Sequence, residues 1–165
     1  MLALGLGFRL LEAMKHHQDP RQYPERPLVG VGGIVFQGDK VLLIRRGREP
    51  GRGKWSIPGG GVRLGETLEQ AVKREMGEET GLLVEPVALV EVLERIIPGK
   101  DGRIRYHYIL IDYLCRVRDG ILRAGSDALE ADFFDLEGLE KMDMTDGTAP
   151  VVRRAKFFLD KPLLD

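Results

Sequence analysis

Residues 60–82 read GGVRLGETLEQAVKREMGEETGL, and the fold is decided by how this stretch coils. On a helix advancing about 100° per residue, Leu68, Ala71, Val72 and Met76 form one apolar stripe, and Glu75 and Glu79 fall in the same sector. Gln70, Lys73 and Gly77 fill the outward sector. The last two turns therefore direct carboxylates, not leucines, toward the protein body. A solvated acidic face with ordinary i,i+4 ion pairs leaves the inward placement of Glu75 and Glu79 unexplained.

Carboxylates held a few ångströms apart repel each other by roughly 4 kcal/mol per pair at an effective dielectric of about 20, so the arrangement calls for a cation. All-oxygen ligands suit hard divalent ions, Mg²⁺ first and Mn²⁺ second, and a Mg²⁺ that keeps several waters works on substrate phosphates. Arg74, one turn from Glu78, is placed to brace the acids through a bidentate pair. With no cysteine or clustered histidine beside them, Zn²⁺ is a poor fit.

The spacing Gly60-x5-Glu66-x7-Arg74-Glu75-Met76-x-Glu78-Glu79-x-Gly81-Leu82 resembles in full the signature box of the Nudix hydrolases. At average composition such a match arises by chance in roughly one chain in ten million of this length. The resemblance implies a fold and a chemistry: an α/β protein, an α/β/α sandwich with a central mixed β-sheet, hydrolysing a diphosphate linked to another moiety with Mg²⁺ or Mn²⁺. By motif position, Glu78 and Glu79 would be direct metal ligands and Glu75 a ligand or the base that orients the attacking water. Glu66 would lie just outside the ligands, with Arg74 supporting the catalytic acids. Gly59, Gly60 and Gly61 would let backbone approach the metal or the diphosphate without a Cβ in the way. Gly77, at a variable position of the box, costs about 1 kcal/mol relative to alanine and should not touch the chemistry.

Outward from the box, residues 29–36 and 40–46 are β-rich runs joined by the turn Gln37-Gly38-Asp39. Gly30, Gly32 and Gly33 mark a close approach to the first run. Residues 82–97 read as a strand pair or one bent strand, and IRYHYILIDYLCRV (104–117) as an interior strand, apolar on both faces. EADFFDL (130–136) reads as another strand, and Thr148 is placed to cap a terminal helix with Val151, Val152, Ala155, Phe158 and Leu159 on one face. Strands flanked by helices again read as an α/β/α sandwich. Leu6, Leu10, Leu11 and Met14 suggest an N-terminal helix, and Pro20, Pro24 and Pro27 a stiff linker, so residues 1–27 are set apart from a domain over 28–165.

At 165 residues with formal charge −1 and pI near 6.3, the chain has the size of one domain. It lacks the basic field expected for nucleic acid. A small-molecule nucleotide is the expected partner, with no membrane segment and a possible homodimer. The single cysteine, Cys115, excludes an internal disulfide, reads as a buried small hydrophobe and suits a reducing, cytoplasmic setting.

Candidate substrate contacts beyond the box are Arg45 and Arg46, either of which would hold a phosphate or simply end a solvated strand. Asp127 and Glu130 lie where many members of the family carry an extra acid. Trp55 reads as core; Tyr106, Tyr108, Phe133 and Phe134 read as core or as base-stacking rings; His107 reads as packed rather than catalytic. The stretches 26–60 and 105–117 further resemble the ADP-ribose pyrophosphatase branch, implying ADP-ribose cleaved to AMP and ribose 5-phosphate. The alternatives are a nucleoside triphosphate pyrophosphatase and a non-catalytic nucleotide sensor; the sensor would be expected to lose box acids.

Overall fold

In the computed structural model, which describes residues 19–160, the strands are β1 (Leu28–Ile34), β2 (Phe36–Gln37), β3 (Lys40–Arg46), β4 (Trp55–Ser56), β5 (Gly59–Gly61), β6 (Leu82–Pro98), β7 (Ile104–Gly120) and β8 (Ala128–Asp135). The helices are α1 (Leu68–Thr80) and α2 (Thr148–Asp160), with a 3₁₀ turn at Leu136–Lys141. The N-terminal helix expected over Leu6–Met14 lies outside the described residues.

A mixed sheet runs β5-β1-β7-β6, with β1 and β7 parallel and the other pairs antiparallel. The second sheet centres on β3, which pairs antiparallel with β2, β4 and β8. The expected α/β sandwich is therefore present, with its strands divided between two sheets. The run 29–36 breaks at Val35: β1 stays in the mixed sheet and β2 passes into the other. Gln37 pairs with Lys40, so the hairpin loop is Gly38-Asp39 alone, with Gly38 at φ 60°, the left-handed value such two-residue turns need.

Residues 82–98 form one strand whose register shifts repeatedly against β7, each irregularity adding bend. Pro86 and Pro98 are tolerated because β6 lies at the sheet edge. β7 runs between β1 and β6, the interior place its apolar run predicts.

A capping box starts α1: the Thr67 hydroxyl accepts from Gln70 N–H at 3.2 Å while Gln70 Oε1 accepts from Thr67 N–H at 2.9 Å. Gly81 stops it at φ 71°. Its stripe of Ala71, Val72 and Met76 is buried against Val31, Val35, Leu82, Val84 and Cys115, each large side chain contributing about 1.5–3 kcal/mol. Gly33 allows this contact, since a Cβ there would meet Met76 Sδ at 2.5 Å. A Cβ on Gly77 would meet nothing nearer than Leu82 O at 4.0 Å, in keeping with the outward sector of the helical wheel.

Val151, Val152 and Ala155 of α2 pack with Ile34, Val41, Leu43, Val90 and Leu114 in a second core. Phe158 and Leu159, expected on that face, remain 38% and 47% exposed. Thr148 is the first residue of α2 rather than its cap; the carbonyl of Gly147 accepts the first helical bond from Val151, and the Thr148 hydroxyl pairs with that of Thr145 at 2.8 Å.

The last carbonyls of α1 are tied to the connection after β7. Thr80 O accepts from Arg123 N–H at 2.9 Å and Glu79 O from Gly125 N–H at 3.0 Å. Residues 19–27 are folded against the sheet rather than standing clear of it: Tyr23 N–H donates to Arg105 O at 2.8 Å, and the Arg103 guanidinium lies 4.4 Å from the Tyr23 ring centroid.

Candidate active site

The inward sector of α1 opens at the edge strand β5. Glu79 is 6% exposed, and its Oε2 accepts the backbone N–H of Gly59 at 2.8 Å. Burial pushes its carboxyl up to about 7; the Gly59 N–H works against the rise, and the charge of Glu75 adds to it. Glu75, one turn earlier, is also raised, chiefly by burial, with Arg74 opposing. Gly60 packs directly on this carboxylate: a Cβ would stand 2.5 Å from Glu75 Cδ. At Gly59 a Cβ would meet Val31 O at 2.1 Å. These two glycines are thus required by close approach, as their place beside the box suggests.

Arg74 is the brace. Its Nε and Nη2 donate to the Glu66 carboxylate at 2.7 and 2.8 Å, Nη2 also reaches Gly61 O at 2.9 Å, and Nη1 donates to Glu75 Oε1. The same Nη1 lies 3.4 Å from Glu78 Oε2, and Arg63 holds the other Glu78 oxygen at 3.2 Å. Held first by Arg74 and next by the Arg63 N–H, the Glu66 carboxyl is lowered to about 2. Glu66 therefore anchors Arg74, which in turn orients Glu75 and Glu78.

Glu75, Glu79, Gly59 and Gly60 line a cavity of about 740 Å³, within the range of small-molecule sites. Arg46 lines it too, its Nε donating to Pro50 O at 2.9 Å; burial lowers its pKa and the charge of Glu79 partly restores it. Arg45 lies elsewhere: it bonds Gly53 O at 3.0 Å and Glu130 at 2.8 Å, and neither Arg45 nor Glu130 lines the cavity. The cavity-lining acid from this loop is Asp127, which pairs with Arg48 at 2.9 Å and whose charge reaches Glu79.

Tyr106 and Tyr108 line the cavity with rings stacked 6.0 Å apart, whereas His107, alternating to the other face, does not. Trp55 packs edge-on against Phe134 at 4.6 Å and Phe133 packs against the first core, so these rings serve the interior. Cys115 is buried, its thiol pushed up to about 12. Arg21 and Asp112 are among the lining residues that had drawn no functional reading from sequence. Arg21, held by Asp19 at 2.7 Å, reaches the cavity from the segment before β1, and Asp112 lies within β7. A lone carboxylate inside the apolar run ILIDYLC was the available signal for Asp112; Arg21 carried none.

The donor set fits a hard divalent ion. Glu75 and Glu79 are desolvated carboxylates, the charge of Glu75 raises Glu79 and that of Glu78 raises Glu75, and a cation relieves both directly. Among the described residues no three acid, His or Cys side chains already form a metal cage. Glu78 would have to exchange its arginine partners for the ion.

A family model described as the NUDIX domain matches residues 26–155. The chain is 45% identical over 116 residues to an ADP-ribose pyrophosphatase of Methanocaldococcus jannaschii, covering 70% of this chain and 66% of that protein. It is 38% identical over 135 residues to a mouse (Mus musculus) 8-oxo-dGDP phosphatase, covering 77% of this chain but 39% of the relative. A solved NUDIX hydrolase from Nitrosomonas europaea superposes with a TM-score of 0.69 at 22% identity, over 84% of this chain and 94% of that one, a likeness of fold. With the box, the buried acids and the sheet arrangement all in agreement, the chain belongs to the Nudix hydrolase family.

Proposed function

We propose that the protein hydrolyses a nucleoside diphosphate linked to another moiety, with ADP-ribose as the leading substrate and AMP and ribose 5-phosphate as products. The observation that carries this reading is the pair of desolvated carboxylates, Glu75 and Glu79, lining a cavity that Arg46 also lines. Glu78 and Glu79, with the Gly59 backbone beside them, would hold Mg²⁺ or Mn²⁺, and Glu75 stands beside them as the base. When bound, the ion supplies acidification of a water and neutralisation of phosphate charge.

The protein's own groups do the rest. Arg46 binds the diphosphate in a desolvated setting, where a charge-assisted hydrogen bond is strong. Arg74 occupies Glu75 Oε1 and leaves Oε2 free to accept the proton of the attacking water. The water oxygen bonds to phosphorus, the bridging P–O bond breaks, and ribose 5-phosphate leaves. Gly60 keeps the backbone close to Glu75 so that little water intervenes. The Arg45–Glu130 pair takes no part.

The 45% identity to the archaeal ADP-ribose pyrophosphatase favours this substrate. The likeness to the mouse 8-oxo-dGDP phosphatase supports a second reading, a nucleotide-sanitising pyrophosphatase. A non-catalytic sensor is disfavoured by the intact set of acids. The proposal includes a cytoplasmic setting, which the lone buried Cys115 suits, and a homodimer; no described helix is long and apolar enough to cross a membrane. The deciding experiment is a substrate panel scored by product chromatography with Mg²⁺, Mn²⁺ or EDTA. ADP-ribose should give the highest kcat/KM, and EDTA should abolish turnover. Faster release of pyrophosphate from an oxidised purine triphosphate would move the assignment to the second reading, and full turnover in EDTA would end both.

A further inference from the structure

We propose that Asp112 determines specificity by receiving adjacent N–H or O–H donors on the part of the substrate beyond the diphosphate. The inference rests on the reading of the site given above. Asp112 is paired in register with Gly32 of β1 and is 5% exposed. It lines the same cavity as Glu75 and Glu79. Among the described residues nothing donates a hydrogen bond to its carboxylate: burial raises the carboxyl to about 6, and the other charge acting on it is Glu91, which also raises it. Glu91 is itself taken by Arg154 at 2.8 Å.

A buried carboxylate without donor or cation is unfavourable in the free protein. Such a group persists where a ligand completes it. The surroundings are shaped to keep this carboxylate where it is. A Cβ on Gly32 would stand 2.4 Å from Asp112 Oδ1 and 2.6 Å from Ile57 Cδ1, so only glycine leaves the carboxylate its place.

The position suits the far portion of a nucleotide. Gly32 pairs on its other side with Gly59, whose N–H binds Glu79. Asp112 thus stands two strand spacings from the backbone beside the catalytic acids, roughly 10 Å at ~4.8 Å per strand. That is the scale on which a nucleobase edge or a ribose diol lies from the phosphorus under attack. The charge of Glu79 reaches Arg46, which serves phosphates beside the acids, and Asp112 meets neutral donors two strands away. Leu93, Ile57 and Leu110 wall the cavity with apolar surface, and a site that leaves a polar group unpaired in such surroundings rejects the analogue lacking its partner.

Both the amino edge of a base and the vicinal hydroxyls of a ribose carry this donor chemistry, and one experiment separates them. The non-hydrolysable α,β-methylene analogue of ADP-ribose is titrated by calorimetry with Mg²⁺ into wild type, Asp112→Asn and Asp112→Leu. Two companions are used, one lacking the 6-amino group of the base and one lacking the 2′- and 3′-hydroxyls of the adenosine ribose. Wild type should bind the parent at least about tenfold more tightly than either variant, and the ligand-free variants should melt at the wild-type temperature or above. The companion missing the recognised donors should lose affinity for wild type but little for Asp112→Leu: the first identifies the base edge, the second the diol. Equal binding by all three proteins, equal losses across companions in all of them, or a lower melting temperature of both ligand-free variants overturns the inference alone. Failure of wild type to bind any of the three compounds overturns the inference together with the reading of the site.

Discussion

Glu79→Gln tests the inward-facing acid most directly, because the buried carboxylate makes opposite demands on stability and on activity. Burial holds its pKa up to about 7 in the folded chain, against about 4.5 for a solvated glutamate. An acid whose pKa is raised on folding binds more protons in the native state than in the unfolded chain between those two values. Its ionisation therefore destabilises the fold as pH rises through that window, and the penalty is complete above it. The shift corresponds to roughly 3 kcal/mol, fully present at pH 8 and absent at pH 4. Glutamine keeps an oxygen for the Gly59 N–H and removes the charge. In EDTA at pH 8 the variant should gain about 1–3 kcal/mol, or roughly 2–12 °C in Tm for a chain of this size, and the gain should vanish as pH falls to about 4.5. Scanning calorimetry across pH 4–8 reads this directly. With Mg²⁺ and a non-hydrolysable substrate analogue, wild type should gain stability by mass action and the variant much less, while turnover falls by about 100-fold or more. A variant that is less stable than wild type at pH 8, or that turns over near the wild-type rate, refutes the placement of Glu79 among uncompensated acids.

Arg74→Lys keeps the charge but cannot reproduce the fork that joins Glu66, Gly61 O and Glu75; chemical denaturation should show a loss of about 1–3 kcal/mol, and steady-state kinetics a drop of at least about tenfold, mainly in kcat. Gly60→Ala places a Cβ 2.5 Å from the Glu75 carboxyl carbon, so the fold should persist by circular dichroism while metal-dependent activity falls by about tenfold or more; unaltered kinetics would show that Glu75 does not depend on that contact.

What was legible in the sequence follows from how local the causes are. The α1 box could be read because periodicity alone turns Glu75 and Glu79 inward. The split of the strands between two sheets was not legible: it turns on Val35, which interrupts an apolar run without any break in composition. Arg45 and Arg46 could not be told apart for a similar reason. Neighbours on a strand face opposite ways, and a register shift against β8 falls between these two residues, so the face belonging to the cavity depends on a pairing far along the chain. The resemblance pointed to a loop holding both Asp127 and Glu130, whereas Glu130 lies within β8 paired with Arg45 and Asp127 precedes the strand, paired with Arg48. Arg21 reaches the cavity through contacts between its segment and β7, which no pattern within residues 19–27 announces.

The ties between the end of α1 and the connection after β7 make these two stretches one mechanical unit. Thr80 O and Glu79 O, which a helix end would otherwise leave to water, are taken by Arg123 and Gly125, and the chain then runs directly to Asp127 at the cavity. The acids of the box and the acid of the loop are consequently set by a single clamp, although about 50 residues separate them in the chain. An insertion between residues 121 and 127 would therefore displace Asp127 relative to the carboxylates of the box, a far tighter tolerance than the irregular backbone of that loop would suggest.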